Sequence, residues 1–199
     1  MRNLLSTKNQ RQLRLMETLI QNRNWIKLHE LAEKLGCTER ILKSDLNELR
    51  AAFPTIDIQS SVNGIMIDLE VNTSVEDIYQ YFLAHSQSFQ LLEYLFFNEG
   101  LPIYRTIENL HSSNANLYRL GRNITKTLST QFQIELSFTP SEIRGNEIDI
   151  RYFFAQYFSE RYYFLDWPFP DLPEEDLTEF ADFFYKITNY PMRFSIYRM

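Results

Sequence analysis

Thr38, Glu39, Arg40, Lys43, Ser44 and Asn47 lie close together in the chain, and their types suit hydrogen bonding to an extended polyanion better than bond-making chemistry. Wound at 3.6 residues per turn they share one side, while Leu42, Leu46 and Leu49 share the other. The fork of the Arg40 guanidinium suits a guanine edge, or a phosphate. Lys43 and Arg50 suit phosphates, and Asn63, further along, suits a groove or the duplex backbone. Glu39 suits the amino group of cytosine, or else offsets the positive end of a helix.

The flanking residues build the support such a face needs. Leu13, Met16, Leu19 and Ile20 predict an amphipathic helix over 10–22, broken at Asn22-Arg23-Asn24. Leu28, Leu31, Ala32 and Leu35 predict a second helix, ended by Gly36, where a left-handed backbone meets no Cβ clash. Thr38 opens a third, over 38–53, with Ile41, Leu42, Leu46, Leu49 and Phe53 inward and Pro54 as its stop. Small Ala32, a glycine four residues later and the aliphatics Leu31, Leu35, Leu42 and Leu46 form a helix-turn-helix pattern. Its second helix offers its N-terminal residues to the major groove. Ile56 and Ile58, then Ile65, Ile67 and Leu69, alternate with Asp57, Met66 and Asp68 around Asn63-Gly64, a hairpin signal. Three helices and a hairpin make a winged helix.

A polar stretch over 70–76 leads to a helix over 75–84, and the order then recurs. Helices are predicted over 89–97, 104–110 and 114–131, followed by strand-like 134–138 and 143–150. Leu35 and Leu42 match Leu110 and Leu117 at a shift of 75, whereas Ile56 and Ile58 match Ile134 and Leu136 at 78. The second set of candidate contacts is Ser113, Asn114, Asn116, Tyr118, Arg119, Arg122, Asn123 and Lys126. Ile107 stands where Ala32 does, and His111 where Gly36 does. Gly121, inside the second recognition helix, costs about 1 kcal/mol relative to alanine unless it permits close packing.

The fold class expected is mainly α with short β-hairpins (α+β). Tandem winged helix-turn-helix domains at 1–72 and 73–150 are followed by an incomplete helical domain at 151–199. Tyr152, Phe153, Phe154, Tyr157, Phe158, Tyr162, Tyr163 and Phe164 form an aromatic run, with Glu147, Asp149, Glu160 and Asp166 near it. Those acids speak against base stacking in a phosphate-lined groove and for a helical core or a dimer surface. Trp167-Pro168-Phe169-Pro170 reads as a loop, and Glu174-Glu175-Asp176 open a helix running to about 189.

The net charge of −6 is unevenly placed. Residues 1–54 carry ten Lys/Arg against six Asp/Glu, 55–88 carry no Lys/Arg and five acids, and 132–199 carry six against twelve. Phosphate binding depends on local charge, so the basic N-terminal region remains compatible with DNA. No apolar run is long enough to span a bilayer, and the first residues turn polar too soon for a signal peptide. One cysteine, Cys37, at a helix turn, reads as packing and excludes an internal disulfide. A soluble, cytoplasmic chain is expected. His29, His85 and His111 lie far apart without metal-ligand spacing, and no phosphate loop, nucleophile elbow or zincin motif is present. Neither enzyme chemistry, a metal nor a cofactor is expected.

The segment from Leu28 to Leu49 resembles the helix-turn-helix of bacterial activators of the Mga type, related to BglG-type regulators. Leu117-Tyr118-Arg119-Leu120 with Ile124 and Leu128 is similar to the second Mga helix-turn-helix. Leu172 to Arg198, ending Pro191-Met192-Arg193-Phe194-Ser195-Ile196-Tyr197-Arg198, is similar to the start of that family's phosphotransferase-system regulation domain. The resemblance implies a transcription activator, often of virulence or carbohydrate genes, in a Gram-positive bacterium. The partners it implies are double-stranded DNA and a second copy of the chain. Family members run longer, so the chain is expected to stop inside its third domain. The family's regulatory domains can carry phosphorylated histidines, but 151–199 holds no histidine. The alternative reading is a protein-interaction or dimerisation module that keeps the helix-turn-helix without reading DNA.

Overall fold

The computed structural model describes residues 1–22, 24–68, 74–162 and 167–189. Expectations placed on Arg23, Leu69, the stretch 70–73, Tyr163, Phe164, Asp166 and Pro191 to Arg198 lie outside the described residues. Among the described residues the fold is mainly helical, with two small antiparallel hairpins.

The first unit comprises α1 (Thr7–Asn22), α2 (Leu28–Lys34), α3 (Glu39–Ala52), β1 (Asp57–Ser61) and β2 (Gly64–Asp68). Helix α3 begins where Thr38 Oγ1 accepts the Ile41 N–H at 3.3 Å, and Glu39 in its first turn suits the positive helix end. It ends before Pro54, with the Phe53 N–H donating to the Leu49 carbonyl. Leu42, Leu46 and Leu49 are buried against Leu31 and Ala32 of α2 and the inner side of α1. Burial of one such leucine is worth about 1.5–3 kcal/mol. The core is set by spacing.

Ile41 departs from expectation. Placed inward by its sequence neighbours, it is 41% exposed, because Leu42, Asp45, Leu46 and Leu49 fill the inner stripe and leave it on the flank.

The hairpin also differs in its reason. Ser61 pairs with Gly64, so Val62 and Asn63 form the two-residue loop and Gly64 is already in β2. A Cβ on Gly64 would lie 2.1 Å from the Ile26 carbonyl oxygen. That approach comes from an antiparallel bridge in which Ile26 and Ile65 exchange both backbone bonds, at 2.9 and 2.8 Å. Gly64 therefore serves a close backbone crossing, at a φ of +127°.

The second unit follows α4 (Val75–Ala84), which a capping box between Ser74 and Asp77 opens. It comprises α5 (Gln87–Phe97), α6 (Ile103–Asn109), α7 (Asn114–Leu128), β3 (Glu135–Phe138) and β4 (Ser141–Arg144). The strand expected over 143–150 is cut short. Asn146 Oδ1 accepts the Ile148 N–H at 2.8 Å and starts α8 (Glu147–Arg161), so Ile148 and Ile150 are helical. Helix α8 thus runs across the division expected at 150. Its Phe153, Phe154, Tyr157 and Phe158 are buried, with Tyr157 stacked on Phe89 of α5 at 5.3 Å and Phe154 against Phe96 at 4.6 Å. These four residues of the aromatic run are core, whereas Tyr152 is exposed. A further helix, α9 (Glu174–Thr188), opens on three acids and closes at Asn189 in the left-handed conformation. No helix of the described residues is long and apolar enough to cross a membrane.

Candidate nucleic-acid interface

Helix α3 exposes Glu39, Arg40, Lys43, Ser44 and Asn47 together, as the leucine spacing requires. The side chains of Arg40 and Lys43 make no ion pair or hydrogen bond within the described residues. Thr38 is partly committed, since its hydroxyl caps the helix. Asn63 is exposed on the hairpin loop, where its N–H donates to Ser61 Oγ at 3.0 Å.

Arg50 is half-buried and turned to the hairpin. Its Nε donates to the Ile58 carbonyl at 2.9 Å, and its Nη atoms donate to Ser60 Oγ and Asn47 Oδ1. The guanidinium joins the end of α3 to β1 and steadies Asn47 from one side.

Sequence reading passed over the group that holds this helix in place. Asp45 is 1% exposed on the inner side of α3. It accepts two bonds from Arg11 of α1, at 2.6 and 3.1 Å, and one from Gln12 at 3.2 Å. Gln12 also donates to Glu48 at 2.9 Å, and Lys8 pairs with Glu48. The Asp45 bond holds the Arg11 pKa above its usual value, and bonds from Lys8 and Gln12 hold Glu48 below the ordinary carboxylate range. The network clamps α3 to α1 through a hydrogen-bonded carboxylate. An aspartate three residues after Leu42, inside the Leu42–Leu46–Leu49 stripe, is the signal that could have revealed it. Beside it, burial pushes the Cys37 thiol up, away from the reactive thiolate.

The second unit repeats the corner at a shift of 75. Gly36 and Cys37 donate to Glu33 and Ala32 at 3.1 and 2.9 Å, while His111 and Ser112 donate to Glu108 and Ile107 at 3.3 and 3.1 Å. His111 takes the left-handed φ of 45° that Gly36 takes at 63°. Ser113 caps α7 by accepting the Asn116 N–H, as Thr38 caps α3. The tether recurs in other chemistry, for Thr125 Oγ1, at the place of Arg50, accepts the Leu136 N–H at 2.9 Å. The shift changes to 78 between recognition helix and hairpin, where the second unit holds three more residues.

The exposed side of α7 carries Asn114, Arg119, Arg122, Asn123 and Lys126. Asn116 is half-buried, donating to Ser112 Oγ at 2.9 Å and accepting from Arg119 at 2.7 Å. Tyr118 packs edge-on against Phe138 at 5.2 Å. A Cβ on Gly121 would meet Phe138 Cε2 at 2.5 Å, so the glycine lets that ring seat on the helix. Among the described residues no group of three or more His, Cys, Asp or Glu could hold a metal.

The comparisons with known proteins agree with this tandem geometry. Residues 6–65 match the M protein trans-acting positive regulator (MGA) HTH domain, and 71–158 match the Mga helix-turn-helix domain, a span that takes in most of α8. Residues 173–199 match the M protein trans-acting positive regulator (MGA) PRD domain. Over 199 residues, all of this chain, it is 47% identical to a protein of Streptococcus pneumoniae serotype 4 (strain ATCC BAA-334 / TIGR4) named for trans-acting regulation. Over 179 residues, 87% of this chain, it is 26% identical to the capsule synthesis positive regulator AcpA of Bacillus anthracis. The chain spans 40% and 36% of the lengths of these two relatives.

Proposed function

The chain belongs to the Mga family of helix-turn-helix regulators, and on that premise we propose that it binds double-stranded DNA sequence-specifically and activates transcription. The observation that carries this reading is the outer side of α3. Arg40, Lys43, Ser44 and Asn47 are exposed together and Arg40 and Lys43 are unpaired among the described residues, while Asp45 and the leucines beneath anchor the helix to α1 and α2. A cationic, hydrogen-bonding helix face on a rigid support is what major-groove recognition requires.

In this reading Arg40 and Asn47 contact bases, Glu39 and Ser44 adjust the choice between them, and Lys43 meets phosphate. Thr38 caps the helix, Arg50 positions the hairpin, and Asn63 meets the duplex beyond the groove. The second unit adds contacts through Ser113, Asn114, Asn116, Tyr118, Arg119, Arg122, Asn123 and Lys126, with Arg119 aimed by Asn116. The first unit ends near 72, and α8, packed on α5, carries the second past 150 to the regulatory part. The positive-regulator name of the Bacillus anthracis relative supports activation over repression. Two chains on paired half-sites multiply the specificity of one, so the working form is a dimer.

A gel-shift salt series on promoter fragments flanking the gene tests the reading. Between about 50 and 200 mM salt the affinity should fall steeply, and Lys43→Ala should flatten the log–log slope by about one. Salt-independent retention, or no preference for those fragments over random duplex, would point to the protein-interaction alternative.

A further inference from the structure

Building on the DNA-binding reading above, we propose that Ile41 recognises the 5-methyl group of a thymine in the major groove, next to the base contacted by Arg40. Ile41 is 41% exposed in the first turn of α3, the turn that enters a groove first, and its N–H is already held by Thr38. It lies beside Arg40 and one turn before Ser44, both exposed. Its side chain has no hydrogen-bonding capacity, so neither phosphates nor the amino and carbonyl groups of base edges reward its exposure. The thymine methyl is the apolar group on the major-groove edge, and aliphatic contact with it separates thymine from cytosine.

The setting favours DNA over a protein surface as the occupant. Unpaired Arg40 and Lys43 on the same helix repel a basic partner, lose hydration under a neutral apolar one, and attract a polyanion. The feature belongs to the first unit alone. At a shift of 75 the matching residue is Asn116, whose amide is held between Ser112 and Arg119. The two recognition helices therefore differ in kind at this position, and thymine preference should follow α3.

The test selects a preferred duplex from a random library with the purified chain, then replaces each thymine in turn with deoxyuridine, which deletes only the methyl. At one thymine per half-site the loss should weaken binding about three- to fivefold. Ile41→Ala, an exposed change that should leave the thermal midpoint unmoved, should bind the two duplexes equally and keep the wild-type salt slope. Equal binding of every deoxyuridine duplex by the wild type, or undiminished methyl sensitivity in Ile41→Ala, overturns the proposal while leaving DNA binding intact. Loss of self-association in Ile41→Ala without a change in methyl sensitivity would assign Ile41 to a protein contact and also reject it. Failure of any duplex to enrich would refute the DNA-binding reading itself, and this inference with it.

Discussion

Arg11 and Asp45, 34 residues apart in the chain, form a two-pronged ion pair at 2.6 and 3.1 Å that joins the first helix to the recognition helix. The carboxylate is buried, so removing its partner leaves a charge that water reaches poorly. Arg11→Ala should cost about 2–4 kcal/mol, somewhat below a fully buried pair because the guanidinium keeps some solvent contact. Denaturant unfolding of Arg11→Ala, Asp45→Ala and the double variant measures the coupling. Additive losses would show that the pair does not act as a unit.

Gly121→Ala separates two opposed effects by sign. Helix propensity alone predicts a gain of about 1 kcal/mol. The 2.5 Å approach to Phe138 predicts a loss of about 1–3 kcal/mol, since the ring must leave its seat. A loss is expected, and a smaller one in a Phe138→Leu background, read from the denaturant midpoint. A stabilised single variant would contradict the packing described.

The two helix corners invite a reciprocal exchange. Gly36→Ala has open space for its Cβ yet keeps a φ of +63°, so it should cost about 1 kcal/mol. His111→Gly relieves the same conformation and should be neutral or stabilising by up to about 1 kcal/mol. Thermal midpoints moving in opposite directions would confirm that the corners share one backbone, and parallel shifts would not.

Three tyrosines on or beside α8 predict a loss of stability at alkaline pH. Tyr157 and Tyr162 both donate to Glu93, and Tyr79 donates to Glu160 at 2.6 Å. Burial first, then the carboxylate hydrogen bond, pushes Tyr162 up to about 12 and moves Tyr79 and Tyr157 upward as well. A raised phenol pKa means that the folded state holds the proton more tightly. Its stabilisation is therefore complete below the unfolded value near 10, and for Tyr162 it is lost as pH climbs from there through about 12. Thermal midpoints taken from pH 8 to 12 should fall above 10, and Tyr162→Phe should lessen the slope. An unchanged slope in that variant would remove Tyr162 from the account.

Much of the architecture was legible because helical spacing is a strong physical constraint. Leu42, Leu46 and Leu49 could only face one way, and Thr38 and Ser113 announced where the recognition helices begin. The failures fall where a tertiary contact outranks a local signal. Asn63-Gly64 reads as a turn, but the glycine answers to Ile26, whose bridge to Ile65 joins segments that no local pattern connects. Ile41 reads as core because it adjoins Leu42, and the narrowness of the buried stripe decides otherwise. Ile148 and Ile150 alternate like a strand, yet the Asn146 cap and the aromatic packing beyond make them helix. Arg50 reads as a phosphate ligand from its charge, and its bonds to Ile58 and Ser60 add a tether between α3 and β1 that no local pattern announces.

Dimethyl sulfate footprinting of a selected duplex probes the central claim most directly, because guanine N7 lies on the major-groove edge where Arg40 is proposed to bind. The account predicts one protected guanine per half-site with the wild-type chain and restored reactivity with Arg40→Ala at saturating protein. A saturated complex whose guanines all stay as reactive as free DNA would contradict it.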